Sequence, residues 1–181
     1  CVTFETDITR FLRYVRQNRF SFTLSLVHAS AKCANEIEEF RYRFLDGQIV
    51  LFDQIDTAFT WLDGQTELFK VVRVPFLPSL REYVAAAGET AEKQREYFTG
   101  PLGNDVFQFS PLPWLSYTHI SHTVSGKRDA ATPLFDWGKY RECGGKILLP
   151  YTVQVHHSFA DGLHVAKFAQ KLQTALDTPG D

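Results

Sequence analysis

His157 stands four residues ahead of an aspartate in the run His156-His157-Ser158-Phe159-Ala160-Asp161-Gly162. An imidazole can take a proton from a hydroxyl near neutral pH, provided that its tautomer is held in place. A carboxylate four residues on is a candidate orienting partner. Upstream, residues 147–155 are aliphatic and β-branched, broken only by Pro150, and read as a strand. Downstream, residues 163–176 place Leu163, Ala166, Phe168, Ala169 and Leu172 at helical spacing. The histidines therefore sit on a strand-to-helix corner, with Asp161 positioned to cap the helix and Gly162 to allow a tight turn. Strand neighbours point to opposite faces, so only one of the two histidines faces a given cleft, and His157 is the stronger candidate. A capped corner with two structural histidines is the plain alternative.

The stretch 154–168 closely resembles the C-terminal signature of the chloramphenicol acetyltransferases, whose second histidine is the catalytic base. The resemblance implies that His157 is that base, with Asp161 beside it in the signature. Ser110-Pro111-Leu112-Pro113-Trp114 resembles the family's Ser-x-Leu-Pro-Trp motif, in which the serine hydroxyl bonds the oxyanion of the tetrahedral intermediate. That role falls on Ser110. Gly138-Lys139-Tyr140 resembles the Lys-Tyr pair that lies along coenzyme A, and Trp114 corresponds to a wall near its pantetheine arm. Phe69, Val71, Ile120 and Leu134 fall where the family lines an apolar acceptor pocket. Asp136 is a departure, since the family often carries a small hydroxyl residue there, and an acidic group alters which acceptor binds.

From this resemblance follow an α/β (α+β two-layer sandwich) fold, with a mixed sheet flanked by helices, and a single acetyltransferase domain over residues 1–181. It implies acetyl-CoA as co-substrate, no metal, a small aromatic or apolar acceptor, and a homotrimer with sites at subunit interfaces. The reaction is O-acetylation by direct attack in a ternary complex, the chemistry of chloramphenicol resistance. Two readings compete. The acyltransferase core of the 2-oxo-acid dehydrogenase complexes shares a His-x-x-x-Asp-Gly signature, but the Ser-x-Leu-Pro-Trp and Gly-Lys-Tyr motifs favour the smaller enzymes. A non-catalytic coenzyme A-binding protein of the same fold is the other.

The resemblance starts after the family's N-terminal segment, which carries an arginine that pairs with the signature aspartate. The expectation is a chain without that start, and its lack of methionine agrees. Asp161 is then expected to be without that arginine. Arg16 is no substitute, because residues 8–18 read as a helix following Asp7.

A net charge of −2 gives no reason to expect nucleic acid or an anionic membrane surface. No apolar run approaches the roughly 20 residues needed to span a bilayer. Cys1, Cys33 and Cys143 are odd in number and lack metal-ligand spacing, so a reduced, cytoplasmic setting is expected.

The remaining pattern supplies the scaffold. Leu26, Ala29, Ser30, Cys33 and Ile37 mark a buried helix face, and His28 within it is read as structural. Asp46-Gly47 and Asp63-Gly64 predict two hairpins, of strands 40–44 with 48–52 and 59–62 with 66–74. A helix over 80–98 comes next, and then strands around Phe107, Tyr117 and Leu134.

Overall fold

Side-chain alternation builds a sheet with one aromatic and one polar face. The computed structural model describes residues 1–64, 66–122 and 131–180. The main sheet has the order β1 (Val2–Asp7), β9 (Lys146–Gln154), β7 (Leu134–Trp137), β6 (Val106–Phe109), β4 (Asp56–Leu62) and β5 (Phe69–Val74). A seventh strand, β8 (Arg141–Cys143), pairs with the start of β9. β6 is parallel to both β4 and β7, whereas β9 is antiparallel to β7 and β1. Helices α1 (Thr9–Asn18), α2 (Phe22–Asn35), α3 (Leu80–Lys93) and α4 (Gly162–Asp177) pack on β9, β4, β5 and β1 respectively. This is the mixed sheet with flanking helices that the sequence predicts.

The helix-side face is held by aromatic contacts. Phe135 stacks on Phe109 at 5.1 Å between centroids, meets Phe107 edge-on at 5.7 Å, and touches Phe168 of α4 at 5.2 Å. Trp137 stacks on Tyr151, whose hydroxyl donates to Ser30 Oγ of α2 at 2.7 Å. The buried hydroxyl thereby keeps a partner.

The other face carries a row of polar side chains. Thr3 pairs with Thr152, and Thr152 with Asp136. The Ser110 N–H donates to the Phe135 carbonyl, continuing the β6–β7 ladder and setting Ser110 beside Asp136. Phe59 pairs with Phe109, which puts Thr60 beside Ser110, and Thr60 pairs with Val71.

Turn chemistry accounts for where the elements differ from expectation. Asp46 (φ 50°) and Gly47 (φ 77°) make the expected tight turn between β2 (Tyr42–Leu45) and β3 (Gln48–Leu51). Arg43 of β2, 1% exposed, donates to the carbonyls of Phe40, Tyr42 and Asn104 and lies over the Phe107 ring, anchoring this hairpin to the main sheet. Burial lowers its guanidinium to about 10, which leaves it charged at neutral pH. The second expected hairpin also forms, β4 pairing antiparallel with β5 and Leu62 facing Phe69, but through a wider loop than a tight Asp63-Gly64 turn. The Asp63 carboxylate accepts the Thr66 N–H, the positive φ falls on Glu67, and β5 starts only at Phe69.

α3 stops at Lys93, short of the predicted 98. Lys70 Nζ, reaching from β5, donates to the carbonyls of Ala91 and Gln94 and satisfies the end of the helix. Tyr117 lies in no strand; it belongs to a segment, 110–122, that crosses the polar face. β8 was not foreseen, and Gly144 (φ 58°) and Gly145 (φ 77°) turn it into β9. Among the described residues no helix is long and apolar enough to cross a membrane.

Phe135→Ala should remove the centre of the aromatic cluster and cost about 3–5 kcal/mol. Urea unfolding followed by tryptophan fluorescence should show a lower midpoint, and an unchanged midpoint would mean that the cluster does not hold the sheet to its helices.

Candidate functional site

Beyond β9 the chain turns, with the N–H groups of Phe159 and Ala160 both donating to the His156 carbonyl. The two histidines part, both lying beyond the end of β9 at Gln154. His156 packs between Phe44 at 5.5 Å and Phe159 at 5.9 Å, and its Nδ1 accepts the Ser158 N–H. His157 is exposed, and its Nδ1 lies 3.4 Å from the Ala160 carbonyl oxygen. A carbonyl can only accept, so Nδ1 is the protonated nitrogen and Nε2 keeps a free lone pair. That is the tautomer a general base requires.

Asp161 does not orient His157. Its Oδ1 accepts the Leu163 N–H at 2.9 Å, and its own N–H donates to His164 Nδ1 at 3.1 Å, forming a capping box on α4. The Leu163 N–H is the main reason its carboxyl sits below the usual range. The four-residue spacing thus brings a carbonyl, not the carboxylate, to His157. Arg16 is elsewhere, with Nη2 3.5 Å from the Tyr140 hydroxyl.

Ser110 lies at the carboxyl end of β6, on the rim of a hollow of about 240 Å³ shared with Thr60, Trp61, Phe69 and Trp114. Phe69 (55%) and Trp114 (58%) leave much of their surface open. Val71, Ile120 and Leu134 are half-buried, Val71 paired with Thr60 and Leu134 two residues before Asp136 on the same face. Lys139 and Tyr140 are exposed past the end of β7, where the Lys139 N–H donates to the Leu115 carbonyl at 2.7 Å. The glycine before them has a steric reason. A Cβ on Gly138 would stand 2.6 Å from that Leu115 oxygen and 2.9 Å from Tyr117 Cε1.

His157 is not among the residues lining that hollow. Ser110 is level with Thr152 on β9, but β9 runs antiparallel, so His157 leaves the sheet five residues further on, toward the opposite end. At about 3.3 Å per residue five residues amount to roughly 16 Å of extended chain, so the two stand well apart within one chain. The two strands share a sheet, yet sharing it does not bring Ser110 to His157.

Asp136 stands out in the sequence, but its partner does not. Asp136 is fully buried, its Oδ2 is 3.0 Å from His122 Nε2, and its Oδ1 has no hydrogen-bond partner among the described residues. Burial raises its carboxyl to about 6, opposed by the neighbouring imidazole. Only the acidic departure at position 136 pointed this way; nothing in the spacing linked it to His122. A larger hollow, about 530 Å³, opens between α2 and α4 around Lys32, Lys167 and Lys171 and contains none of the candidate catalytic, coenzyme A-binding or acceptor-binding residues. His28 borders it with its Nε2 3.0 Å from the Leu77 carbonyl and its ring stacked on Phe76, consistent with a structural role. Among the described residues no three of His, Cys, Asp and Glu are grouped to hold a metal ion.

The sequence model of the family described as "Chloramphenicol acetyltransferase" matches residues 1–173. Chloramphenicol acetyltransferase 2 of Escherichia coli is 31% identical over 180 residues, covering 97% of this chain and 84% of that protein. A solved chloramphenicol acetyltransferase superposes with a TM-score of 0.88 at 26% identity, over 97% of this chain and 86% of its own. A truncated catalytic core of the 2-oxoacid dehydrogenase multienzyme complex from Thermoplasma acidophilum shares the fold, with a TM-score of 0.76 at 13% identity over 99% and 87%.

Asp136 yields a prediction with a definite sign. Its folded carboxyl holds a proton more tightly than an unfolded one near 3.9, so the native state binds more protons between about pH 4 and 6. Stability therefore falls as pH rises through that window, and Asp136→Asn escapes the loss. The melting temperature of the variant relative to the parent should climb from pH 4 to pH 7; a flat difference would mean that the carboxylate is not desolvated.

Proposed function

Because this chain belongs to the chloramphenicol acetyltransferase family, we propose that it transfers the acetyl group of acetyl-CoA to a hydroxyl of a small aromatic or apolar acceptor, chloramphenicol being the first to try. His157 Nε2 takes the proton of that hydroxyl as the oxygen attacks the thioester carbonyl. The Ser110 hydroxyl donates to the oxyanion that forms. The intermediate collapses with loss of the thiolate, which recovers the proton from His157. Trp114, Lys139 and Tyr140 lie along the coenzyme A arm, and Phe69, Val71, Ile120 and Leu134 line the acceptor pocket. The whole of 1–181 acts as one cytoplasmic acetyltransferase domain, and no metal takes part.

One observation carries the quaternary part of this reading: Ser110 and His157 leave the sheet at opposite ends. A single chain cannot apply both to one substrate. A closed threefold ring, in which each subunit's His157 reaches the Ser110 side of its neighbour, makes three equivalent sites and leaves none incomplete.

Thiol release from acetyl-CoA should depend on chloramphenicol and vanish in His157→Ala. Ser110→Ala should lower kcat by about 10²–10³, the usual effect of losing one oxyanion donor. Mixing the two inert variants, unfolding and refolding them together, should restore about a quarter of parental activity, since one site in each mixed ring has both groups intact. No recovery at all, with trimers demonstrably mixed, would place the two groups in one chain's site and sink the shared-site reading.

A further inference from the structure

The proposed chemistry leaves the Asp136–His122 pair without a task. It is a costly arrangement. A carboxylate with one oxygen unpartnered and no exposure loses its hydration without full replacement, and His122 is its only ion-pair partner among the described residues. A hydroxyl residue at this strand position would spare that cost. The pair also lies in a telling place. Asp136 is the lateral neighbour of Ser110, on the same sheet face and one strand spacing, about 4.8 Å, away. Leu134 and Ile120, two of the residues assigned to the acceptor pocket, stand two positions before Asp136 and His122 respectively.

The carboxylate accepts, so His122 Nε2 carries the proton and Nδ1 presents a lone pair. Unlike Asp136, His122 keeps 30% of its side chain exposed. Its amide N–H donates to Gln154 Oε1 at 3.3 Å, which holds the backbone over the end of β9. Among the described residues over this face, Tyr117 is pushed up to about 12 by burial and brings no charge at neutral pH, and His119 lies further along the row, against Thr3. The face beside Ser110 is thus left with a buried negative charge whose effect emerges through one imidazole nitrogen. A cation that donates a hydrogen bond complements it.

We propose that His122, held by Asp136, binds a protonated amine of the acceptor, so that the preferred substrate is an amino alcohol acetylated on the hydroxyl next to Ser110. This rests on the acetyl-transfer reading for the hydroxyl, but not for the cation. His122 Nδ1 accepts the ammonium N–H, Asp136 supplies the opposite charge behind the ring, and the ligand covers both from water. Asp136 here is a positioning residue and His122 the one that touches substrate.

The test uses two diols on one skeleton, the N,N-dimethylamino and the N-acetyl derivatives of 2-amino-1-(4-nitrophenyl)propane-1,3-diol, the first cationic and the second neutral. The parent protein should favour the cation at least ten-fold in kcat/KM. In Asp136→Asn, which keeps an acceptor for His122, and in His122→Gln, that ratio should fall to about one. Calorimetric titration of both diols without acetyl-CoA should show the same preference in binding, again lost in both variants. Acetyl transfer with no preference for the cation, or a preference that survives both substitutions, would overturn the inference and leave the proposed reaction standing. An Asp136-dependent preference in binding without any transfer would do the reverse.

Discussion

β9 enters the sheet antiparallel to β7, while β6 and β7 run parallel, and the site inherits its geometry from that reversal. Ser110 leaves β6 at one end, and His157 leaves β9 toward the other. Side-chain rotation does not span the distance, because it is set by strand rise and by register. Register here is pinned on both flanks of β9, by six paired positions along β1 and four along β7. A slip of one residue would turn Tyr151 and Val153 out of the aromatic layer and Thr152 into it. The same interactions that make the fold stable therefore keep the proposed base and oxyanion donor apart, and association of copies is the means left for uniting them.

The two faces of the sheet differ in what they ask of their cover. Four helices bury the aromatic side, and the cover there is mainly apolar packing with a few polar bonds such as Tyr151 to Ser30. Hydroxyls and a carboxylate lie on the other side, under a segment with no regular structure of its own. That cover must satisfy polar groups one at a time. Thr3 and Thr152 bond each other at 2.8 Å, Tyr117 approaches Thr152, and His122 meets Asp136. Gly138 lets the segment come close, because any larger residue would strike Leu115 and Tyr117. Irregular chain is suited to this, since each residue can adopt the direction its partner requires.

What the sequence disclosed followed the range of the interactions. The Asp46-Gly47 hairpin, the buried face of α2 and the cap at Asp161 are decided within a few residues, and all were legible. Asp63-Gly64 misled because a carboxylate bonding three residues on competes with a tight turn, and composition does not say which prevails. The end of α3 depends on Lys70, which lies more than twenty residues away in the chain. His122 and Asp136 are separated by fourteen residues, and their meeting depends on how an irregular segment crosses the sheet. The motifs named Ser110 and His157, but motif order contains no strand direction, so the gap between them was invisible.

The chain holds two imidazoles by different means, and the difference bears on what each is fit to do. His157 has a backbone carbonyl on Nδ1, which sets the tautomer and adds no charge. A base that must take a proton and return it to a thiolate in the same turnover is served by such neutral support. His122 has a buried carboxylate on Nε2. A full negative charge in a poorly hydrated place attracts a cation brought up beside it. An imidazole backed in that way can present the carboxylate's charge to a cationic group on the far side of the ring. The division of labour between His157 and His122 therefore follows from the groups behind the rings, with the exposed nitrogen of each turned to a different use.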